Sequence, residues 1–326
     1  MTKRILSGMR PTGPLHLGHL FGALDNWVGL QKEYECFFMI ADWHALMSEY
    51  EDPSSLPQYV IESAADWIAS GVDPKKSAIF IQSHVKEHLE LYMVFSNLVP
   101  LGWLERCPTY KEQLRELSSR KLHTYGFLGY PVLQAADILL YRANAVPVGQ
   151  DQLPHLELTN DIAQKFNNLY GDTFKTIEPL LTKIPKLLGV DGRKMSKSYG
   201  NFIALGDSPE VIEEKCSQMF TDPKRIKLSD KGHPDECNLY AYYNLLRKGS
   251  AGEVYDYCTN AKKGCTQCKK DLSGVVSDYL SDIRKKRESL LKDKGKIEEI
   301  LAKGAKKASK AASETMDGVR KAVGLI

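Results

Sequence analysis

Short, mainly apolar runs alternate with helix-period repeats through the first hundred residues, and few architectures accommodate that alternation. Residues 4–7, 36–41 and 78–82 read as buried strands. Between the first two, Leu17, Leu20, Leu24, Trp27 and Val28 recur at helical spacing, and residues 57–69 and 87–99 carry two further helical patterns. Strand, helix, strand, helix predicts an α/β fold, a doubly wound parallel sheet of Rossmann type with right-handed crossovers. Ligands on such sheets bind beyond the carboxyl ends of the strands.

Past residue 200 the character changes. Residues 206–326 carry helical patterns at 208–219, 238–246, 272–291 and 305–323 and no strand alternation, which places a boundary near residue 205. The expected domains are 1–205, an α/β body, and 206–326, a smaller all-helical domain. A chain of 326 residues with 43% hydrophobic and 26% charged content has the composition of a soluble globular protein with a real core. No apolar run approaches the roughly 20 residues that span a bilayer. The first eight residues lack the apolar stretch of a signal peptide, so a cytoplasmic protein is expected. Charge is uneven. Residues 284–326 hold thirteen Lys or Arg against six Asp or Glu, a local +7, leaving about −4 for the rest of a chain whose total is +3. Two readings stand for that end: a polyanion partner, or a lysine-rich solvated helix face.

Two motifs carry the chemistry. The first runs from Arg10, Pro11 and Thr12 through His16, Gly18 and His19, after a strand and into a helix. That position offers backbone N–H groups and a positive helix end to a phosphate chain. Gly18 lets a ligand approach the backbone closely. His16 and His19 can donate hydrogen bonds to phosphate oxygens as charge develops. Alone, the pair fits surface or capping histidines equally well. The second motif, Lys194-Met195-Ser196-Lys197-Ser198, sits between Gly189, Gly192 and Gly200, on a glycine-flanked loop. Lys194 and Lys197 are point charges suited to a departing pyrophosphate, brought in when nucleotide binds. Ser196 and Ser198 add hydroxyl donors. A solvated basic loop is the bland alternative, and the upstream motif argues against it.

Together these segments resemble the His-Ile-Gly-His and Lys-Met-Ser-Lys-Ser signatures of the class I aminoacyl-tRNA synthetases, with Leu17 in place of isoleucine. Residues 130–141 open a helix after a proline, and Tyr130, Gln134, Asp137 and Tyr141 share one face of it. By itself that face fits a polar pocket or a helix whose Asp137 is paired with a nearby cation. Followed by Val146-Pro147-Val148-Gly149-Gln150-Asp151-Gln152, the pattern resembles the tryptophanyl-tRNA synthetase family. The resemblance implies that Asp137 accepts the indole N–H, that Tyr130 and Gln152 hold the α-amino end, and that His44 lies close to the same pocket. It implies that Gly149, Gln150 and Asp151 contact ATP, with Arg10, Pro11, Thr12, Gly18, Met195 and the phosphate-side Lys111. Gln134 stands where many bacterial members have methionine, and Arg10 where many have glutamine. Gln134 could therefore bond to Asp137. The sister tyrosyl family usually has Gly-Gly before x-Asp-Gln, whereas Val148-Gly149 follows the tryptophan pattern. The resemblance further implies activation of L-tryptophan with ATP and Mg²⁺, tRNA(Trp) as acceptor, an anticodon-binding role for residues 206–326, and a homodimer without membrane attachment. Its rivals are a tyrosine–tRNA ligase and a silent paralogue serving as an RNA-binding or redox regulator.

Of seven cysteines, Cys237, Cys258, Cys265 and Cys268 fall together in the carboxyl-terminal part. Four thiolates suit zinc or an iron–sulfur cluster, and structural disulfides are not expected in a cytoplasmic protein. Only one Cys-x-x-Cys knuckle is present where zinc ribbons commonly have two, which favours [4Fe–4S]. A subset of tryptophanyl-tRNA synthetases carries a cluster motif of similar layout. Lys262, Lys263, Lys269 and Lys270 flank the thiols, placed to offset cluster charge or to face RNA. Scattered buried thiols remain the alternative. Cys36 reads as inert core, and Cys107 and Cys216 take no assignment.

Overall fold

The computed structural model describes residues 3–117, 120–181, 187–247, 249 and 251–326, together with the backbone but not the side chain of Ser198. Five parallel strands make one sheet among them: β1 (Arg4–Met9), β2 (Glu35–Ile40), β3 (Ser77–Ile81), β4 (Ala145–Val148) and β5 (Glu178–Leu181). The order is β3-β2-β1-β4-β5. Register runs Leu6 against Phe37 and Phe38 against Ile79. β2 is buried from Cys36 to Ile40 because strands lie on both sides of it and helices cover the sheet, which is why its sequence is uniformly apolar. The order reverses between β1 and β4. Residues 10–12 and 149–152 leave the sheet at that switch point, where open α/β sheets bind their ligands.

The chain divides into two units. The first comprises Met1–Thr12, Ala23–Lys183 and Asp293–Ile326 and contains the sheet. Its last segment corrects the expected boundary near 205. The helix Lys294–Ala322 packs on β3 and so falls in the first unit. Ile297, Leu301, Gly304, Ala305, Ala308, Ala311, Ala312, Met316 and Val319 are buried at helical spacing. Gly304 is obligatory at the crossing, since a Cβ there would lie 1.9 Å from the Ile79 carbonyl oxygen. The lysine/alanine bias thus resolves into an alanine face against the sheet and lysines outside, of which Lys303 pairs with Glu299 and Lys307 with Glu35.

The second unit comprises Gly13–Gly22 and Ile184–Lys292. Its helices are Pro209–Ser217, Asn238–Leu246, Ala251–Thr259 and Cys265–Lys292. Gly13–Gly22 belongs here because the Leu17 amide donates to Ile203 O at 3.1 Å and the Leu205 amide to Leu15 O at 2.9 Å. The single helix expected through residues 17–28 is in fact a short turn at Leu17–His19, a π-type segment at Leu20–Leu24 and a helix at Asp25–Leu30.

Candidate active site

In the first unit, Asp137 lies on the helix Tyr130–Leu140 and is 2% exposed. A carboxylate cannot stay charged in such surroundings without donors, and three side chains supply them. Gln82, just past the carboxyl end of β3, gives its Nε2 to both oxygens at 2.8 and 3.0 Å. His88 Nδ1 is 2.6 Å from Oδ1, and His44 Nε2 is 2.8 Å from Oδ2. Burial by itself would raise the Asp137 carboxyl, but the charges and hydrogen bonds of His88 and His44 outweigh it and hold the group below the usual carboxylate range. Gln134 is half-buried and is not among these partners in the described residues. Sequence reasoning missed Gln82 and His88. The signal for Gln82 was its place at a strand's carboxyl end, whereas His88 had none, a lone histidine on an apolar helix.

A second buried cluster stands at the start of the same helix. Tyr130 is 6% exposed, and its hydroxyl lies 3.2 Å from His155 Nε2, which also bonds Thr109 Oγ1 at 2.7 Å. Burial, with a smaller effect of His44, lowers His155 to about 4, so the ring is neutral at physiological pH. Burial likewise pushes the Tyr130 phenol far above its ordinary value. The hydroxyl is therefore a proton-bearing hydrogen-bonding group and never an anion. Cys107, left unassigned by sequence, joins this cluster through Thr109 Oγ1 at 3.2 Å, and Cys216 is plain core, wholly buried.

Arg10 and Thr12 are half-buried and Pro11 buried at the end of β1, with the Thr12 amide turned back to Arg10 O at 3.0 Å. Gly149 follows β4 and leads into a 3₁₀ turn of Gln150–Gln152. Gln150 and Asp151 are exposed, and Gln152 is half-buried with its Nε2 on Asp151 Oδ2 at 3.0 Å. Lys111 is exposed on the helix Pro108–Glu116.

The second unit holds the histidine and lysine motifs. His16 caps the Leu17–His19 turn, its Nδ1 accepting from the Gly18 amide at 3.1 Å, while His19 Nδ1 accepts from the His16 amide at 3.2 Å. With both Nδ1 atoms acting as acceptors, each neutral ring carries its proton on Nε2. Burial, then Lys197 and Lys215, lower His16 to about 3, and burial with His16 and Lys197 lowers His19 well below its usual value. The pair therefore offers two neutral Nε2–H donors, with ring centroids 3.8 Å apart. A Cβ on Gly18 would come within 2.9 Å of the His16 ring and 3.5 Å of Met195 Sδ, so the glycine lets the two motifs pack. Lys197 Nζ donates to Gly13 O at 2.8 Å, whereas Lys194 is exposed. Residues 189–201 wrap around Asn201, another residue that sequence reasoning gave no role. Its Oδ1 accepts from the Ser196 amide at 2.9 Å, and its Nδ2 donates to Asp191 Oδ1 at 2.7 Å and Lys194 O at 3.1 Å. The Ser198 side chain lies outside the described residues.

Cys237, Cys258, Cys265 and Cys268 line one narrow cavity of about 20 Å³, with Asp222, Arg225, Tyr257 and Lys263 on the same walls. That is room for a single water-sized sphere. All four are free thiols, and burial raises Cys237, Cys258 and Cys268, the last to about 11. The thiols share one cavity and are a soft donor set. As packed, no group of three or more His, Cys, Asp or Glu among the described residues is spaced to hold a metal ion. Of the flanking lysines, Lys262 pairs with Asp256, Lys263 with Asp271, and Lys269 donates to Ser217 O. No helix among the described residues is long and apolar enough to cross a membrane.

The family model described as "tRNA synthetases class I (W and Y)" matches residues 2–281. The tryptophan–tRNA ligase of Thermotoga maritima is 48% identical over 326 residues, covering 99% of each chain. That of Aquifex aeolicus is 41% identical over 393 aligned positions, covering 99% of this chain and 100% of the relative. Among solved structures, the tryptophanyl-tRNA synthetase from Campylobacter jejuni complexed with ADP and tryptophan matches with a TM-score of 0.91 and 36% identity, over 98% of this chain and 99% of that one.

Proposed function

The chain belongs to the class I tRNA synthetases of the tryptophan and tyrosine family, and from that premise we propose that it is a tryptophan–tRNA ligase in which Asp137 reads the indole. A tryptophan carboxylate oxygen attacks the α-phosphorus of ATP, delivered with Mg²⁺. The bond to the bridging oxygen breaks, and pyrophosphate leaves. A ribose hydroxyl of the terminal adenosine of tRNA(Trp) then attacks the adenylate carbonyl, and AMP departs.

His16 and His19 act as uncharged Nε2–H donors to phosphate oxygens. Lys194 and Lys197, with Ser196, Ser198 and Met195 in the same loop, serve the departing pyrophosphate. Catalysis on this reading is positioning and charge stabilisation, with no covalent enzyme intermediate. Arg10, Pro11, Thr12, Gly149, Gln150, Asp151 and Lys111 take the rest of ATP, while Tyr130, Gln134, Gln152 and His44 line the amino-acid side. The observation that carries tryptophan is the buried, donor-satisfied Asp137 carboxylate. A site built to accept one N–H rejects analogues lacking it. ATP–pyrophosphate exchange is expected with tryptophan and not with tyrosine. Exchange with neither leaves a silent paralogue, and exchange with tyrosine alone makes it the sister enzyme.

The helical region of residues 206–292 takes the anticodon arm. The enzyme acts as a homodimer, a reading supported by the exposed apolar side chains Met93, Leu101 and Tyr125 on the first unit. Sedimentation at micromolar concentration tests the dimer. Cys237, Cys258, Cys265 and Cys268 would hold a [4Fe–4S] cluster, or zinc in its place. The support is four thiols on one cavity wall. Bound metal would keep them as thiolates and tie Cys237 to the helix Cys265–Lys292. Iron and sulfide in protein purified without oxygen, with broad absorbance near about 400 nm, are expected; zinc alone selects the alternative, and no metal discards both.

A further inference from the structure

Behind the Asp137 carboxylate lies a second polar layer sealed from solvent. His88, Gln82 and Tyr141 are each 0% exposed. Tyr141 closes the helix that bears Asp137, and its ring stacks on Phe37 with centroids 4.8 Å apart. Its hydroxyl lies 2.8 Å from His88 Nε2, and His88 Nδ1 lies 2.6 Å from Asp137 Oδ1. A lone pair on Nδ1 facing a carboxylate oxygen at that distance would be repulsive, so Nδ1 carries hydrogen. Nε2 on the far side of the ring shares a hydrogen bond with the Tyr141 hydroxyl, which fixes the plane of the imidazole.

The two carboxylate oxygens are unequally committed. Oδ1 accepts from His88 at 2.6 Å and from Gln82 at 2.8 Å, which fills both of its in-plane lone pairs. Oδ2 accepts from His44 at 2.8 Å and shares the longer 3.0 Å contact to Gln82. Each oxygen has two contacts, but those of Oδ2 are the longer ones, so Oδ2 is the oxygen for which a further donor can compete. It lies on the side of His44, whose side chain is 11% exposed, while the others are sealed.

We propose that His88 is a positioning residue for indole recognition: its Nδ1–H, oriented by the Tyr141 hydroxyl, pins Asp137 Oδ1 and so reserves Oδ2 for the substrate N–H. The inference rests on Asp137 being the indole acceptor. Rotation of a carboxylate about its last side-chain bond is otherwise soft. A carboxylate free to turn spends part of its time with neither oxygen aimed at the ligand, and the loss falls on recognition rather than on phosphorus chemistry.

The test compares tryptophan with β-(3-benzothienyl)-L-alanine, which replaces the indole N–H by sulfur and keeps the shape, in ATP–pyrophosphate exchange. The readout is the ratio of kcat/KM for the two. In the wild type that ratio is expected to be about a hundredfold or more, in line with sites that accept a substrate N–H. His88→Leu is expected to lower it at least about tenfold through KM for tryptophan, with kcat held within about threefold. His88→Asn places an amide N–H where Nδ1–H stood and is expected to restore most of the ratio. Tyr141→Phe, the loss of one oxygen atom, is expected to fall between them. An unchanged ratio in both His88→Leu and Tyr141→Phe overturns the proposal, as does an asparagine variant no better than leucine. Should the leucine variant fail to fold, Tyr141→Phe decides alone. A wild-type ratio near one defeats the indole reading of Asp137 itself, and shows this before any variant is made.

Discussion

Replacing His16 by asparagine separates two jobs that one imidazole performs. The side chain caps the Leu17–His19 turn by accepting from the Gly18 amide, and asparagine is a good acceptor at a helix N-cap. What the substitution removes is a proton-binding site. Burial, with Lys197 and Lys215 nearby, holds folded His16 at about 3, against an unfolded value of about 6.5. The folded pKa is depressed, so between those values the unfolded chain binds more protons than the folded one. Stability therefore rises with pH through that window and is lost as pH falls below the unfolded value. Linkage with these two values gives a loss of about 2 kcal/mol between pH 7 and pH 5 from this one residue. His19 and His155 add losses of the same sign, so the wild-type slope alone identifies no single group. The difference between wild type and His16→Asn isolates His16. Urea unfolding at pH 5, 6 and 7 is expected to show about 2 kcal/mol less acid destabilisation in the variant. Parallel pH profiles would mean that His16 is already protonated in the folded protein, and its role as a neutral donor would go with them.

Three further outcomes follow from the same geometry. Asp137→Asn sets an amide N–H₂ among the donors of Gln82, His44 and His88, and kcat/KM for tryptophan in pyrophosphate exchange is expected to fall about a hundredfold or more; a change under tenfold would contradict the acceptor role. Lys197→Ala removes the ammonium that lies on Gly13 O, and pre-steady-state pyrophosphate release is expected to slow about a hundredfold with tryptophan affinity intact; an unaltered burst would exclude it from the leaving-group step. Gly304→Val forces side-chain atoms onto the Ile79 carbonyl, and urea unfolding is expected to show a loss of about 3 kcal/mol, whereas a neutral result would mean that the helix Lys294–Ala322 does not rest on β3.

What the sequence disclosed and what it hid have physical causes. β2 and β3 were readable because strands buried on both faces are apolar, as Cys36 to Ile40 and Ala78 to Phe80 are, while β1 showed only through Ile5 and Leu6. β4 and β5 are four residues each, interrupted by Pro147 and Pro179, and β5 is largely exposed, so neither leaves a pattern. The helix Lys294–Ala322 was legible as a helix but not in its address, since an alanine face packs as well on a sheet as on other helices. Spacing along the chain collected the four cysteines that share a cavity, but sulfur-to-sulfur distances belong to the fold. His88 and Asp137 stand 49 positions apart and meet only because the helices Glu87–Ser96 and Tyr130–Leu140 pack against each other. Asn201, placed after a glycine, reads as an ordinary turn residue until its amide is seen holding Ser196, Asp191 and Lys194.

The two histidines carry this furthest. From sequence, capping and phosphate donation stand as rival readings of His16 and His19, as though evidence for one weakened the other. In the folded chain the cap is what makes the donor. By engaging Nδ1, the Gly18 amide and the His16 amide each force the ring proton onto Nε2, and burial keeps a second proton off. A histidine without the cap would distribute its proton between two nitrogens and lose part of its donor strength to the wrong tautomer. The backbone of this turn thus sets the protonation pattern of its own side chains, and the glycine between them is the residue whose missing Cβ allows it.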